Sequence, residues 1–194
     1  MSEVVVTESS RLILRHMTAD DTENLYGILS DPIAMTFYPK VYSWEETVGW
    51  IERILERYHK HGHCFYACVR KDTGQFSGIC GHLFQEDFGH GRDEWEIGYL
   101  FLRSDWNQGF ASEAAQRCRD YWFENNLGER LVSFCDTGNL ASRRVAEKNG
   151  MILEQMIPRE ISKHGGEYCV YAIHRDRWQE LRKSGSLPAQ SPHY

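Results

Sequence analysis

Residues Trp95–Ala115 read W-E-I-G-Y-L-F-L-R-S-D-W-N-Q-G-F-A-S-E-A-A. A period of two over the first eight positions puts Trp95, Ile97, Tyr99 and Phe101 on one face of a strand. Glu96, Gly98, Leu100 and Leu102 fall on the other. Arg103–Gln108 breaks the period and reads as a turn. Gly109 then opens a helix carrying Ala111, Ala114 and Ala115 on its first turns, small side chains past which a backbone or ligand can come close. The first N–H groups of a helix lack intrahelical acceptors and lie at the positive end of its dipole. A glycine-bearing turn into a helix is therefore suited to an anion. An ordinary strand-to-helix connection has the same pattern, and these residues alone do not separate the two.

Working outward, Cys64–Arg70 and Phe76–Gln85 are two strands joined by the hairpin turn Lys71-Asp72-Thr73-Gly74, and the polar loop Glu86–Glu94 leads into the central strand. Before them, Ser43-Trp44-Glu45-Glu46 is a capping box. Trp44, Val48, Ile51, Leu55 and Tyr58 follow at helical spacing as far as Gly62. The spacing assigns Trp44 to the core and leaves Trp50 one position off that face. Arg11–Arg15 reads as a strand, and Thr18 with Asp21 starts a helix that ends at Asp31-Pro32. Downstream come a strand at Leu131–Cys135, a helix over Asn139–Asn149 closed by Gly150, and strands at Ile152–Glu160 and Tyr168–His174 around the turn Lys163–Gly166. A short helix over Arg175–Lys183 completes one α/β domain over residues 1–183, and the polar residues 184–194, with two prolines, form a mobile tail.

A hydrophobic fraction of 41% and an aromatic fraction of 13% are enough for a real core and disfavour disorder. The formal charge of -6 disfavours nucleic acid and anionic membranes as partners and favours a basic or amine substrate. Six cysteines form no C-x-x-C pair and mostly sit in apolar runs, the pattern of reduced thiols in a cytoplasmic protein. The N-terminal stretch has no signal-peptide pattern, and no apolar run approaches membrane-spanning length. His59, His61, His63 and Cys64 straddle a helix end with no second ligand cluster. They read as cations at a helix C-terminus, and no metal is expected.

W-E-I-G-Y followed by W-N-Q-G-F-A-S-E-A-A resembles the acyl-CoA signature of the GNAT acetyltransferases, in particular the RimJ/RimL-type branch. Gly109 and Ala111 match the last two defined positions of Q/R-x-x-G-x-G/A. Trp106 takes the first, where that branch accepts an aromatic. Asn107 and Gln108 replace a common Gly-Lys pair, while the backbone contacts to the pyrophosphate do not depend on those side chains. A second segment, Asn139-Leu140-Ala141-Ser142 through Glu147-Lys148-Asn149-Gly150-Met151, is similar to the family's N-x-x-[A/S] … E-K-x-G-F, with Met151 for Phe. The order β-α-α-β-β-β-α-β-α-β-β is the family's order.

The resemblance implies the GNAT fold, a mixed and mostly antiparallel sheet flanked by helices with a splayed strand pair that binds acyl-CoA. It implies acetyl-CoA as co-substrate and a primary amine as acceptor, either a protein N-terminus or a small molecule, and it is compatible with a homodimer. It assigns the cofactor to Phe101, Leu102, Asn107, Gln108, Gly109, Phe110, Ala111 and Ser112, with Asn139 and Ser142 from the second segment. Asn139 is equally a helix N-cap. An attacking amine must lose its proton, and a side-chain amine with a pKa of ~10.4 needs a base to do so at neutral pH. Glu96 on the central strand is the candidate base, against the alternative of a solvated strand glutamate. His82, in G-I-C-G-H-L-F, is the rival base and acceptor-site residue, against a structural role in an apolar strand. Tyr38 and Trp50 are assigned to the acceptor pocket. Many GNAT enzymes carry an acidic tyrosine four residues after the A/S position. Here that position is Ala146, so Ser142, one turn earlier on the same face, is assigned to the departing sulfur. A non-catalytic acyl-CoA sensor of the same fold is the alternative function.

Overall fold

The computed structural model describes residues 4–87, 91–160, 162 and 166–185. Residues 163–165 of the turn expected at Lys163–Gly166, and most of the expected tail, lie outside the described residues. The strands are β1 (Val5–Glu8), β2 (Leu12–His16), β3 (Phe65–Arg70), β4 (Phe76–Gln85), β5 (Glu94–Phe101), β6 (Arg130–Asp136), β7 (Ile152–Ile157) and β8 (Tyr168–His174). They form one sheet in the order β1-β2-β3-β4-β5-β6-β8-β7. Among the described residues, five α-helices flank it: α1 (Thr22–Leu29), α2 (Trp44–His61), α3 (Phe110–Glu124), α4 (Leu140–Lys148) and α5 (Arg175–Lys183). All neighbouring strands are antiparallel except β5 and β6, which run parallel and share the single register pair Glu96↔Val132. Beyond it the two strands part, and the sheet has a gap at its centre.

The period-two alternation sorts the strands' side chains between two cores. Leu12, Leu14, Tyr66, Cys68, Cys80, Ile97 and Phe101 pack with Trp122 and Phe123 of α3 and Trp178 of α5 on one face. Phe65, Ala67, Ile79, Leu83 and Leu100 pack with Leu25 and Ile28 of α1 and Ile51 and Ile54 of α2 on the other. Local signals set the helix ends. The Ser43 hydroxyl accepts from the Glu46 N–H while the Glu46 carboxylate accepts from the Ser43 N–H, and Gly62 ends α2 at φ 78°.

Two expectations need correction. The N-terminal residues add a strand: β1 pairs antiparallel with β2 and makes the sheet eight-stranded. Trp44 is not a core residue. It is 44% exposed, edge-on to Tyr26 at the start of α2, because the buried face of that helix is Thr47, Ile51 and Ile54.

His82 lies on β4 opposite Ile97, one position out of phase with Leu83, which pairs with Glu96. Its side chain therefore points to the α3 face. There it is fully buried, with Nε2 2.9 Å from the Cys118 carbonyl and Nδ1 3.3 Å from the Tyr66 hydroxyl. Burial pushes its pKa down to about 3. The Cys118 hydrogen bond opposes that shift, and the neighbouring His63 adds to it. His82 is thus neutral when folded and takes up a proton on unfolding below its ordinary value of 6.5. Its contribution to stability is complete above pH 6.5 and is lost as the pH falls toward 3, at up to about 1.4 kcal/mol per pH unit. Urea unfolding at pH 6.5 and 4.5 is expected to show this loss in the wild type. In His82→Gln, which keeps a neutral hydrogen-bonding side chain, the loss should be markedly smaller.

Candidate active site

The gap between β5 and β6 is the core of a cavity of about 960 Å³ that passes from one face of the sheet to the other. Its α3 side is built by the turn after β5. Asn107 and Gly109 both take left-handed conformations, at φ 60° and 84°. The indole N–H of Trp106 closes the turn on the Phe101 carbonyl at 2.9 Å. The first bond of α3 runs from the Glu113 N–H to the Gly109 carbonyl, 3.0 Å. The N–H groups of Phe110, Ala111 and Ser112 precede it, and all three residues line the cavity. Arg11, just before β2, braces this turn, donating to the Gln108 carbonyl at 3.0 Å and pairing with Glu113 at 2.6 Å. Arg144 and Lys148, one turn apart on α4, line the same side. Unpaired amides, a helix N-terminus and two cations make this side receptive to phosphate groups.

Phe101, Asn107, Gly109, Phe110, Ala111, Ser112, Asn139 and Ser142 all line the cavity. Leu102 and Gln108 do not. Leu102 turns to the opposite core and a separate shallow depression beside Gly27 and Asp31. The Gln108 side chain folds back to the Ser104 carbonyl at 3.0 Å. Asn139 caps α4, its Oδ1 accepting from the Ser142 N–H at 3.0 Å, while still facing the cavity. The Ser142 hydroxyl lies 3.0 Å from that of Tyr99 and 3.2 Å from the Cys135 sulfur. Tyr99 also donates to the Ser142 carbonyl at 2.9 Å, bridging the mouth of the gap.

Glu96 faces the opposite side, on the cavity wall at the point where the strands part. Burial raises its pKa to about 7, against hydrogen bonds from Gln85 Nε2 at 2.6 Å and the Phe134 amide, which favour the charged form. A carboxylate poised there can exchange a proton at neutral pH. Tyr38, Tyr42, Trp50, Phe65 and Tyr168 line the same cavity. The Tyr38 hydroxyl is raised above its ordinary pKa by burial, and the charge of nearby Glu96 adds to the shift. His82 is absent from this wall, as its register on β4 requires. Gln85, Tyr99, Tyr42, Tyr168 and the Arg144/Lys148 pair were not among the residues the sequence singled out for the site. Only the i, i+4 spacing of the last two carried a signal.

Residues 11–152 match the family described as "Acetyltransferase (GNAT) domain". The chain belongs to that family. Among its relatives, an uncharacterised Bacillus subtilis protein, YkkB, is 36% identical over 74% of this chain and 83% of its own length. A second B. subtilis protein, YoaA, described as an uncharacterised N-acetyltransferase, is 28% identical over 89% of this chain and 98% of its own. In fold, the chain is similar to RimL, a ribosomal alpha-N-protein acetyltransferase solved with coenzyme A. That likeness has a TM-score of 0.73 at 20% identity and covers 89% of this chain and 99% of RimL. The fold is thus shared with a protein whose sequence has diverged widely. Among the described residues, no group of three or more His, Cys, Asp or Glu side chains is arranged to hold a metal ion, and no helix is long and apolar enough to cross a membrane.

Proposed function

We propose that this protein is an N-acetyltransferase that moves an acetyl group from acetyl-CoA directly to a primary amine. The observation that carries the reading is the placement of Glu96. A carboxylate with a pKa of about 7 stands at the parting of β5 and β6, in one cavity with the unpaired amides of Phe110, Ala111 and Ser112. The coenzyme A held by RimL and the N-acetyltransferase description of YoaA support it. Bound acetyl-CoA supplies an activated thioester. The chain's residues do the rest. The amides of α3, with Arg144 and Lys148, hold the phosphates. Asn139 and the walls of the gap hold the arm. Glu96 takes one proton from the acceptor ammonium and passes it to solvent. As the N–C bond forms and the C–S bond breaks, the second amine proton goes to the departing sulfur.

Ser142 supports that sulfur, its hydroxyl held in place by Tyr99. Ser142→Ala is expected to lower turnover about tenfold, the effect of one hydrogen bond to a charged group. Single-turnover kinetics are the measurement, since a slow product release would hide the effect. Wild-type rates in that assay would remove Ser142 from the mechanism. We place the reaction in the cytoplasm, where the six buried cysteines stay as free thiols. The function itself is tested by free-CoA release with small amines and N-terminal peptides offered side by side. Release that depends on an amine, with acetylated product found by mass spectrometry, is the expected result. Acetyl-CoA binding without transfer to any acceptor would favour a sensor.

A further inference from the structure

The acceptor side of the cavity has a composition of its own. Phe65 lies over β5 at Gly98, where an added Cβ would come within 3.1 Å of its ring. Trp50 stacks near-parallel on Phe65, centroids 6.1 Å apart at 23°, and Tyr42 meets Trp50 edge-on at 5.8 Å. The layer Gly98–Phe65–Trp50–Tyr42 forms one continuous aromatic wall beside Glu96. Phe37, on the loop between α1 and α2, reaches over to the far bank of the gap. A Cβ on Gly138, in the turn before α4, would lie 3.4 Å from its ring. Two elements from opposite sides of the gap therefore approach each other above the acceptor end.

Charge divides the cavity in the same way. Among the described residues that line it, the cations are Arg144 and Lys148, both on α4 at the phosphate side. The acceptor end carries Glu96, and Asp136 at the end of β6, while the third lining carboxylate, Asp105 on the phosphate side, is held by Arg70 and Ser77. An ammonium group is attracted both by these carboxylates and by the ring faces. A carboxylate on the acceptor would meet like charge with no lining cation to offset it.

Resting on the reading of the protein as an N-acetyltransferase, we propose that the acceptor is a small primary amine with an aromatic body and no carboxylate, an arylalkylamine. The ring packs on Trp50 and Phe65 beneath Phe37, and the amine nitrogen reaches Glu96. Its N–C bond to the acetyl group forms as the thioester C–S bond breaks. One proton leaves through Glu96 and the other on the thiol of CoA. A polypeptide N-terminus is disfavoured because its following residues would have to pass the Phe37–Gly138 closure. Polyhydroxylated amines are disfavoured because Phe65 and Trp50 present ring faces where the body of the acceptor would lie.

The test measures kcat/KM by CoA release for 2-phenylethylamine, L-phenylalanine, ethanolamine, kanamycin and a serine-initiated hexapeptide. 2-Phenylethylamine is expected to exceed each of the others by about a hundredfold, the scale of burying one aromatic ring or of avoiding a desolvated like charge. Trp50→Ala is expected to raise its KM at least tenfold, with CoA affinity by calorimetry unchanged as the check on folding. Trp50→Leu, which keeps more of the packing, provides a second variant. A preference for the peptide, kanamycin or L-phenylalanine would overturn the assignment and leave amine acetylation standing. No CoA release with any acceptor would overturn the enzymatic reading itself.

Discussion

Glu96→Gln is expected to lower turnover by roughly 10²–10⁴ at neutral pH, the range for loss of a general base, with little change in acetyl-CoA affinity. The substitution keeps the shape and the hydrogen-bonding capacity toward Gln85 and removes the proton acceptor. The pH dependence distinguishes this from a loss of positioning. Burial holds the Glu96 carboxyl at about 7, so the wild-type rate rises with pH through a limb near that value as the carboxylate forms. In Glu96→Gln the limb disappears, and the deficit shrinks as the pH approaches the acceptor's own pKa and free amine becomes abundant. Gln85 offers an independent handle. Its amide donates to the charged form at 2.6 Å, so Gln85→Leu is expected to move the limb upward while preserving it. A deficit in Glu96→Gln that stays constant across pH would mean that Glu96 orients the acceptor and the proton leaves by another route.

The second large effect is expected at Gly109. Its φ of 84° lies where a β-branched residue is strongly strained, and it directly precedes the three unpaired amides of α3. In Gly109→Val the turn must relax toward negative φ, which swings the N–H groups of Phe110 and Ala111 away from a common focus. Hydrogen bonds to charged groups contribute about 1.5–3 kcal/mol each, so CoA affinity should fall at least tenfold and by about a hundredfold if the larger value applies. Calorimetry with CoA measures this, and a melting curve checks that the sheet is retained. Gln108→Ala is the neighbouring control. Its side chain faces Ser104 and should matter little. Undiminished affinity in a folded Gly109→Val protein would move the phosphate site elsewhere.

The stretch from Trp95 to Ala115 was legible because each signal in it is local. Alternation defines β5, the left-handed glycine ends the turn, and the amides it exposes belong to the next three residues. Glu96 could be placed on the correct face by counting. His82 could not be assigned by the same count, because its orientation depends on the register between β4 and β5, a relation between two strands. The four residues of β1 carry too little alternation to declare themselves and are strand only through pairing with β2. Trp44 was misplaced because the apolar spacing Trp44–Val48–Ile51 follows one line along α2, whereas the buried line runs through Thr47, Ile51 and Ile54. A threonine in the core has no apolar signature. The aromatic wall of Tyr42, Trp50 and Phe65 draws on three consecutive elements, the loop after α1, α2 and β3, whose rings meet only once α2 has packed on the sheet.

The single register pair between β5 and β6 has a consequence for solubility. A sheet parted at its centre has four strand edges in place of two, and an exposed edge is a template on which another chain can add. The two inner edges border a cavity lined from α3 and α4, with Phe37 beside Gly138 at one end, and are covered by these elements rather than laid bare. The hazard therefore passes to the rim of the sheet, where β7 is the last strand and presents Ile152, Leu153 and Met156, each nearly half exposed. Aggregation of this protein under stress should begin on that strand rather than at the breach in its middle.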